Sequence, residues 1–170
     1  MSNFKKMLEH KQEILRNRPE KTCVEVTAES QLVEAFRSHV KVRDFEVIVD
    51  QPDNMESTDR GPRPSEYVLA ALAACHEVTY RLYADAMDIA LAGVAVKVTG
   101  VSDAKGFFSV DEVTPAGFSE IYGTIAIDSS ASDDDIERLR QTVNRHCPVL
   151  DDLTRAVNVD LKIERVGGGS

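Results

Sequence analysis

No apolar run in the 170-residue sequence reaches the roughly 18 residues that a membrane-spanning helix needs, which excludes such a helix. The opening Met1-Ser2-Asn3-Phe4-Lys5-Lys6 is polar and lacks the apolar core of a signal peptide, so a cytoplasmic location is expected. Basic residues are scarce: 20 Lys and Arg stand against 29 Asp and Glu, a formal net charge of -9. That balance argues against nucleic-acid partners, whose phosphates are bound by Lys and Arg clusters, and against anionic membrane surfaces. Its simplest reading is solubility. Cysteine is scarce too. Three are present, none in a Cys-x-x-Cys pair. An odd count without a signal peptide disfavours a structural disulfide framework, and the Cys and His spacings match no zinc template. Internal repeats and low-complexity blocks are also missing.

What remains is an ordinary globular composition, 42% hydrophobic, in a chain long enough for one domain. Residues 1–18 read as an amphipathic helix that Pro19 ends, with Phe4, Met7, Leu8, Ile14 and Leu15 near helical spacing. This helix is expected to dock on another surface. Residues 22–50 alternate with a period of two, from Cys23, Val24 and Val26 to Phe45, Val47 and Val49. They fit two or three antiparallel strands. Residues 51–65 form a loop long enough to suggest a role.

Residues 65–88 predict the longest helix, with Ser65 as its cap and Glu66 in its positive first turn. Val68-Leu69-Ala70-Ala71-Leu72-Ala73-Ala74-Cys75 is apolar on every face, the pattern of a buried helix. Polar residues follow at once, so the helix is expected to leave the core near Cys75. Strands are expected over 93–101 and 121–128. Ser132 caps a helix that opens with three Asp residues and buries Ile136, Leu139 and Val143. A short helical turn over 151–156 and a last strand over 157–166 complete the order. Strands come in groups instead of alternating singly with helices, which is an α+β pattern. The expected organisation is an N-terminal helix (1–20), one domain (21–166) and a flexible tail (167–170).

The cysteines carry the chemistry that the sequence offers. Cys23 reads as a packing residue in a strand. Cys75 reads either as a small core residue or as a thiol at a polar break. Cys147, in Arg145-His146-Cys147-Pro148-Val149, lies 11 residues after Ile136, about 20° past three full turns, and so faces the core. Pro148 can open a following helical segment that Cys147 would cap, where the dipole favours a thiolate. Local physics therefore makes Cys147 the better candidate for a lowered pKa.

The segment Gly61-Pro62-Arg63-Pro64-Ser65-Glu66-Tyr67-Val68-Leu69-Ala70-Ala71-Leu72-Ala73-Ala74-Cys75 resembles the central-helix signature of the OsmC/Ohr family, the osmotically induced and organic hydroperoxide resistance proteins. His146-Cys147-Pro148-Val149, after a helix opening in Ser-Asp, matches the family's second mark. The resemblance spans about residues 22–165. It implies an α+β fold with antiparallel sheets packed around a long central helix, in an intertwined homodimer with sites at the subunit interface. It also implies reduction of organic hydroperoxides by a cysteine pair without metal or bound cofactor. Cys75 would be the attacking thiolate, which reverses the local ranking. Cys147 would close a disulfide, and a thiol reductant such as a dihydrolipoyl protein would reopen it.

Glu66 matches a glutamate that orients an activating arginine in the family. It also reads simply as an acid suited to a helix start. Nine residues separate it from Cys75, about 180° around the helix and roughly 13 Å along it, so it suits the partner subunit's cysteine better than its own. Arg37 is the first candidate for the arginine, Arg43 the second, with Arg60 and Arg63 in the long loop. Leu72, Val68 and Tyr83 are expected to line an apolar site for an alkyl chain. His76 and Val149 depart from the peroxidase pattern and suggest a distinct OsmC-like branch. The rival reading is a dimer that binds a small apolar ligand, or senses redox state, without turnover.

Overall fold

The structure, a computed structural model, describes residues 4–166. The expected flexible tail lies outside the described residues. Helix α1 spans Phe4–Asn17 and packs on the central helix α2, Pro64–Ala86. The Phe4 N–H donates to the Asp85 carboxylate at 3.2 Å, and Lys5 pairs with Asp88. The amphipathic N-terminal helix thus finds a surface within its own chain.

Strands β1 (Ala28–Glu34), β2 (Arg37–Val42) and β3 (Phe45–Val49) form an antiparallel sheet in that order, with Val40 opposite Val47. Strands β4 (Gly93–Ser102) and β5 (Phe118–Asp128) form a second antiparallel pair, with Val96 opposite Ile125. A single helical turn, α3 (Ala104–Phe107), lies between them, and α4 (Asp133–His146) and α5 (Pro148–Thr154) follow. The architecture is α+β, as the grouping of strands implied.

The core sits between α2, α4 and the β4–β5 pair. Tyr80, Ala84, Ile89, Leu91, Leu139 and Val143 are buried there, with Val94, Ile125 and Ile127 packed against them. Ser132 caps α4 as expected, its hydroxyl accepting from the Asp135 N–H at 3.2 Å. Arg81 donates to the Leu91 carbonyl at 2.7 Å and to Asp85 at 3.0 Å, fixing the return from α2 to β4.

Several expectations fail for identifiable reasons. Helix α2 starts one residue earlier than expected, because Pro64 occupies the first helical position with its φ already set. Arg63 becomes the cap residue in place of Ser65, and the Glu66 carboxylate takes the Arg63 N–H at 2.8 Å. The all-apolar stretch of α2 is not buried all round. Val68, Ala71, Ala74 and Val78 are exposed, whereas the polar His76 and Thr79 are buried. Composition had suggested the opposite. Residues 157–166 form no strand among the described residues and lie exposed, since no neighbouring strand supplies their hydrogen bonds. Cys23 is exposed for the same reason: residues 23–27 pair with no strand among the described residues.

Candidate functional site

Cys75 sits at the midpoint of α2, and the Thr79 hydroxyl donates to its carbonyl at 2.6 Å. Cys147 lies at the break between α4 and α5. Its N–H closes α4 on the Val143 carbonyl at 2.9 Å, and its carbonyl receives the Asp151 N–H at 3.0 Å. The apolar stripe of α4 ends on it, and Leu139, Val143 and Cys147 are all 0% exposed. Tyr83 stacks on His146, with ring centroids 5.0 Å apart, and so holds the end of α4 against α2.

Helix α4 thereby delivers Cys147 to Cys75. Their sulfurs are 3.3 Å apart, with the Cys147 thiol donating to Cys75. Both are free thiols, Cys75 half-buried and Cys147 buried. A disulfide is roughly 2.05 Å long, so closure needs little motion. The Cys147 sulfur also lies 3.3 Å from His76 Nδ1. Sequence reasoning treated His76 only as a departure from a pattern. No spacing signal joins positions 71 residues apart.

Burial pushes the Cys147 thiol up from its ordinary pKa. The Leu150 and Val149 N–H groups at the start of α5 oppose that rise, and Cys75 adds to it. The sequence-based expectation of a lowered pKa is therefore corrected. Cys147 does occupy the position before α5, where those N–H groups favour a thiolate, but the loss of water outweighs them.

Glu66 and the candidate arginines lie elsewhere. Glu66 receives Arg63 Nε at 3.1 Å and Nη2 at 2.8 Å. These bonds, with that of the Arg63 N–H, hold its carboxyl below the usual range against partial burial. Arg60, Arg63 and Glu66 line one cleft at the start of α2. Arg43 lies in the β2–β3 turn over the Phe45 ring, at 5.1 Å. Arg37 reaches Glu34 at 2.5 Å and the Thr58 hydroxyl oxygen at 3.3 Å.

The long loop is organised by Asp50, which sequence reasoning missed. Its side chain is fully buried. It accepts from the hydroxyls of Ser57 (2.5 Å) and Thr58 (2.6 Å) and from the N–H groups of Gln51 (2.8 Å) and Arg60 (3.0 Å). Burial pushes its carboxyl up, but these four bonds prevail and hold it far below the carboxylate range. Gly61 lets the loop return against β3, since a Cβ there would lie 2.4 Å from the Ile48 carbonyl oxygen.

A cavity of about 140 Å³ lies between α2, α5 and the β4–β5 pair. Leu72, Val96, Val98, Ile125 and Leu150 give it apolar walls, and His76 opens onto it. Of the three residues expected to line an apolar site, only Leu72 does so. Val68 is exposed on α2, and Tyr83 is engaged with His146. Among the described residues, no three or more His, Cys, Asp or Glu side chains gather where a metal ion could be held. No described helix is long and apolar enough to cross a membrane.

A family model described as OsmC-like protein matches residues 56–162. No curated protein matches the chain. Solved structures do. An OsmC-like protein from Mycoplasma pneumoniae is 24% identical, covering 77% of this chain and 88% of that one, with a TM-score of 0.67. An organic hydroperoxide resistance protein OsmC from Legionella pneumophila is 18% identical over 78% of this chain and 91% of that one, with a TM-score of 0.60. Another organic hydroperoxide resistance protein, from Elizabethkingia anophelis with thiocyanate bound, is 18% identical over 77% and 89%, with a TM-score of 0.58. At these identities the likeness shows the fold.

Proposed function

The chain belongs to the OsmC-like protein family, and from that membership and the thiol geometry we propose that it is a thiol-dependent peroxidase acting on organic hydroperoxides. The observation that carries this reading is the 3.3 Å separation of the Cys75 and Cys147 sulfurs. The names of the Legionella and Elizabethkingia structures support the choice of substrate class.

The exposure difference supports the division of roles. Half-buried Cys75 is the thiol that a hydroperoxide can reach. Its thiolate attacks the O–O bond, becomes a sulfenic acid and expels the alcohol. The buried Cys147 thiol then displaces water from that sulfenic acid and forms the disulfide. A dithiol reductant, such as a dihydrolipoyl protein, returns both thiols. A reducing cytoplasm suits a cycle that starts from free thiols.

Glu66 and an activating arginine, Arg37 first, serve the Cys75 of a second copy in this reading. Two observations favour a homodimer. Val68, Ala71, Ala74 and Val78 leave an apolar face of α2 uncovered. Val157, Val159, Leu161 and Ile163 alternate along an exposed segment that has no strand to pair with among the described residues.

The test is thiol titration and mass spectrometry after adding cumene hydroperoxide to the reduced protein. Stoichiometric loss of two thiols into a Cys75–Cys147 disulfide is expected. A constant thiol count overturns the reading.

A further inference from the structure

We propose that His76 is the acid–base group of the second half of this cycle, moving the proton that Cys147 must lose when the disulfide closes and regain when it is reduced. The proposal rests on the peroxidase reading for its oxidation step. Its geometric basis does not.

Cys147 has no exposure to water, so no solvent base can take its proton in place. Two atoms face its sulfur at 3.3 Å: Cys75 Sγ, and His76 Nδ1, which accepts when the ring proton is on Nε2. One S–H proton cannot serve both. For the sulfur lone pair to point at Cys75, the proton must turn toward His76. His76 is itself buried, and its ring opens on the far side into the cavity beneath β4 and β5. The titratable and charged groups around it are Cys75 and Cys147, Tyr80 with ring centroids 6.3 Å apart, Glu77 next to it on α2, whose carboxylate is held by the Val96 N–H at 3.3 Å, and Lys97 and Tyr122 across the cavity. No carboxylate lines that cavity to compete for the proton.

The step balances as follows. Cys147 Sγ attacks the sulfur of the Cys75 sulfenic acid while His76 Nδ1 takes the thiol proton. The S–O bond breaks, and the departing hydroxide takes that proton and leaves as water. In the return step, one thiol of a dithiol reductant ionises, its proton reaching His76, and the thiolate attacks the more accessible Cys75 sulfur. The S–S bond breaks, and Cys147 leaves as a thiolate that the His76 imidazolium protonates. The second thiol of the reductant then attacks its own sulfur in the mixed disulfide, and Cys75 leaves with that thiol's proton, so that the reductant becomes a disulfide. An imidazole nitrogen can both take a proton and return it, which suits both directions.

The experiment compares wild type with His76→Asn in two arms. In the first, cumene hydroperoxide is added, sulfenic acid is trapped with dimedone, and disulfide is followed by quenched mass spectrometry. Sulfenic acid is expected to form at the wild-type rate. Closure is expected to slow on the order of 10²-fold and to lose its neutral-pH inflection. In the second arm the disulfide is made with diamide and reduced with dithiothreitol, which needs no peroxide chemistry. His76→Asn is again expected to slow the reaction and flatten its pH profile.

Unchanged rates and profiles in both arms overturn the proposal. A His76 dependence in the diamide arm, with no oxidation by any hydroperoxide, keeps the acid–base role and removes the peroxidase reading. If the variant does not fold, wild type alone decides. A reduction profile that follows only the ionisation of dithiothreitol overturns the role. A further inflection in the neutral range supports it.

Discussion

Cys147 offers its sulfur to Cys75 at 3.3 Å from a position with no solvent exposure, while Cys75 remains half-open. The pair is thus asymmetric before any chemistry begins. Cys75→Ser is expected to abolish hydroperoxide consumption. Cys147→Ser is expected to allow one oxidation and then stop at the sulfenic acid or beyond it. Turnover assays with intact-mass measurement check both.

Burial of the Cys147 thiol gives a signed pH effect. Its folded-state pKa is raised. The contribution is therefore complete below the unfolded thiol value, near pH 8.5, and is lost as pH rises through the higher folded value. Reduced wild type should lose stability in alkali that Cys147→Ser retains. Denaturant midpoints from neutral pH to about pH 10 measure the difference.

Arg63 and Glu66 make an exposed pair, so Arg63→Ala should cost less than about 1 kcal/mol. If Arg37 is the activating group, Arg37→Ala should slow Cys75 oxidation on the order of 10²-fold. Stopped-flow oxidation of both variants separates the two arginines. A large loss in Arg63→Ala alone would reassign the role.

Val78 is 68% exposed on the uncovered apolar face of α2. In the proposed homodimer, Val78→Arg should shift the assembly from dimer to monomer in sedimentation velocity. A wild-type protein that sediments as a monomer removes the interface service proposed for Glu66.

Leu139 lies in the core with no exposed surface. Leu139→Ala should destabilise the protein by about 2–5 kcal/mol. Because α4 carries Cys147, closure of the disulfide should slow as well.

Periodicity and capping made α4 legible from sequence, down to the Ser132 cap and the stripe that ends on Cys147. They made α2 legible in extent but not in orientation. Alanines and valines fit any apolar environment, and only the packing of Tyr80 and Ala84 against α4 decides which face turns inward. The meeting of Cys75 with Cys147 was legible only through resemblance, because contact across 72 residues leaves no local pattern. His76 was visible only as a departure from a pattern, because its partner Cys147 comes from another helix. Asp50 was not legible: its partners all lie within ten residues, but an irregular loop that wraps a carboxylate leaves no periodic signal. The last strand was legible as an alternation, yet a strand also needs a neighbour, and the described residues supply none.

The Thr58 hydroxyl has a single proton, and it is committed to Asp50. The oxygen can then only receive, and what it receives is the Arg37 guanidinium. A carboxylate sealed beneath the loop therefore dictates, through one hydroxyl, which way a guanidinium is aimed. Arg37 Nε already lacks a hydrogen-bond partner among the described residues. A residue at position 58 without an acceptor would leave a second of its nitrogens stranded, so the choice between threonine and valine there is a choice about where a positive charge points.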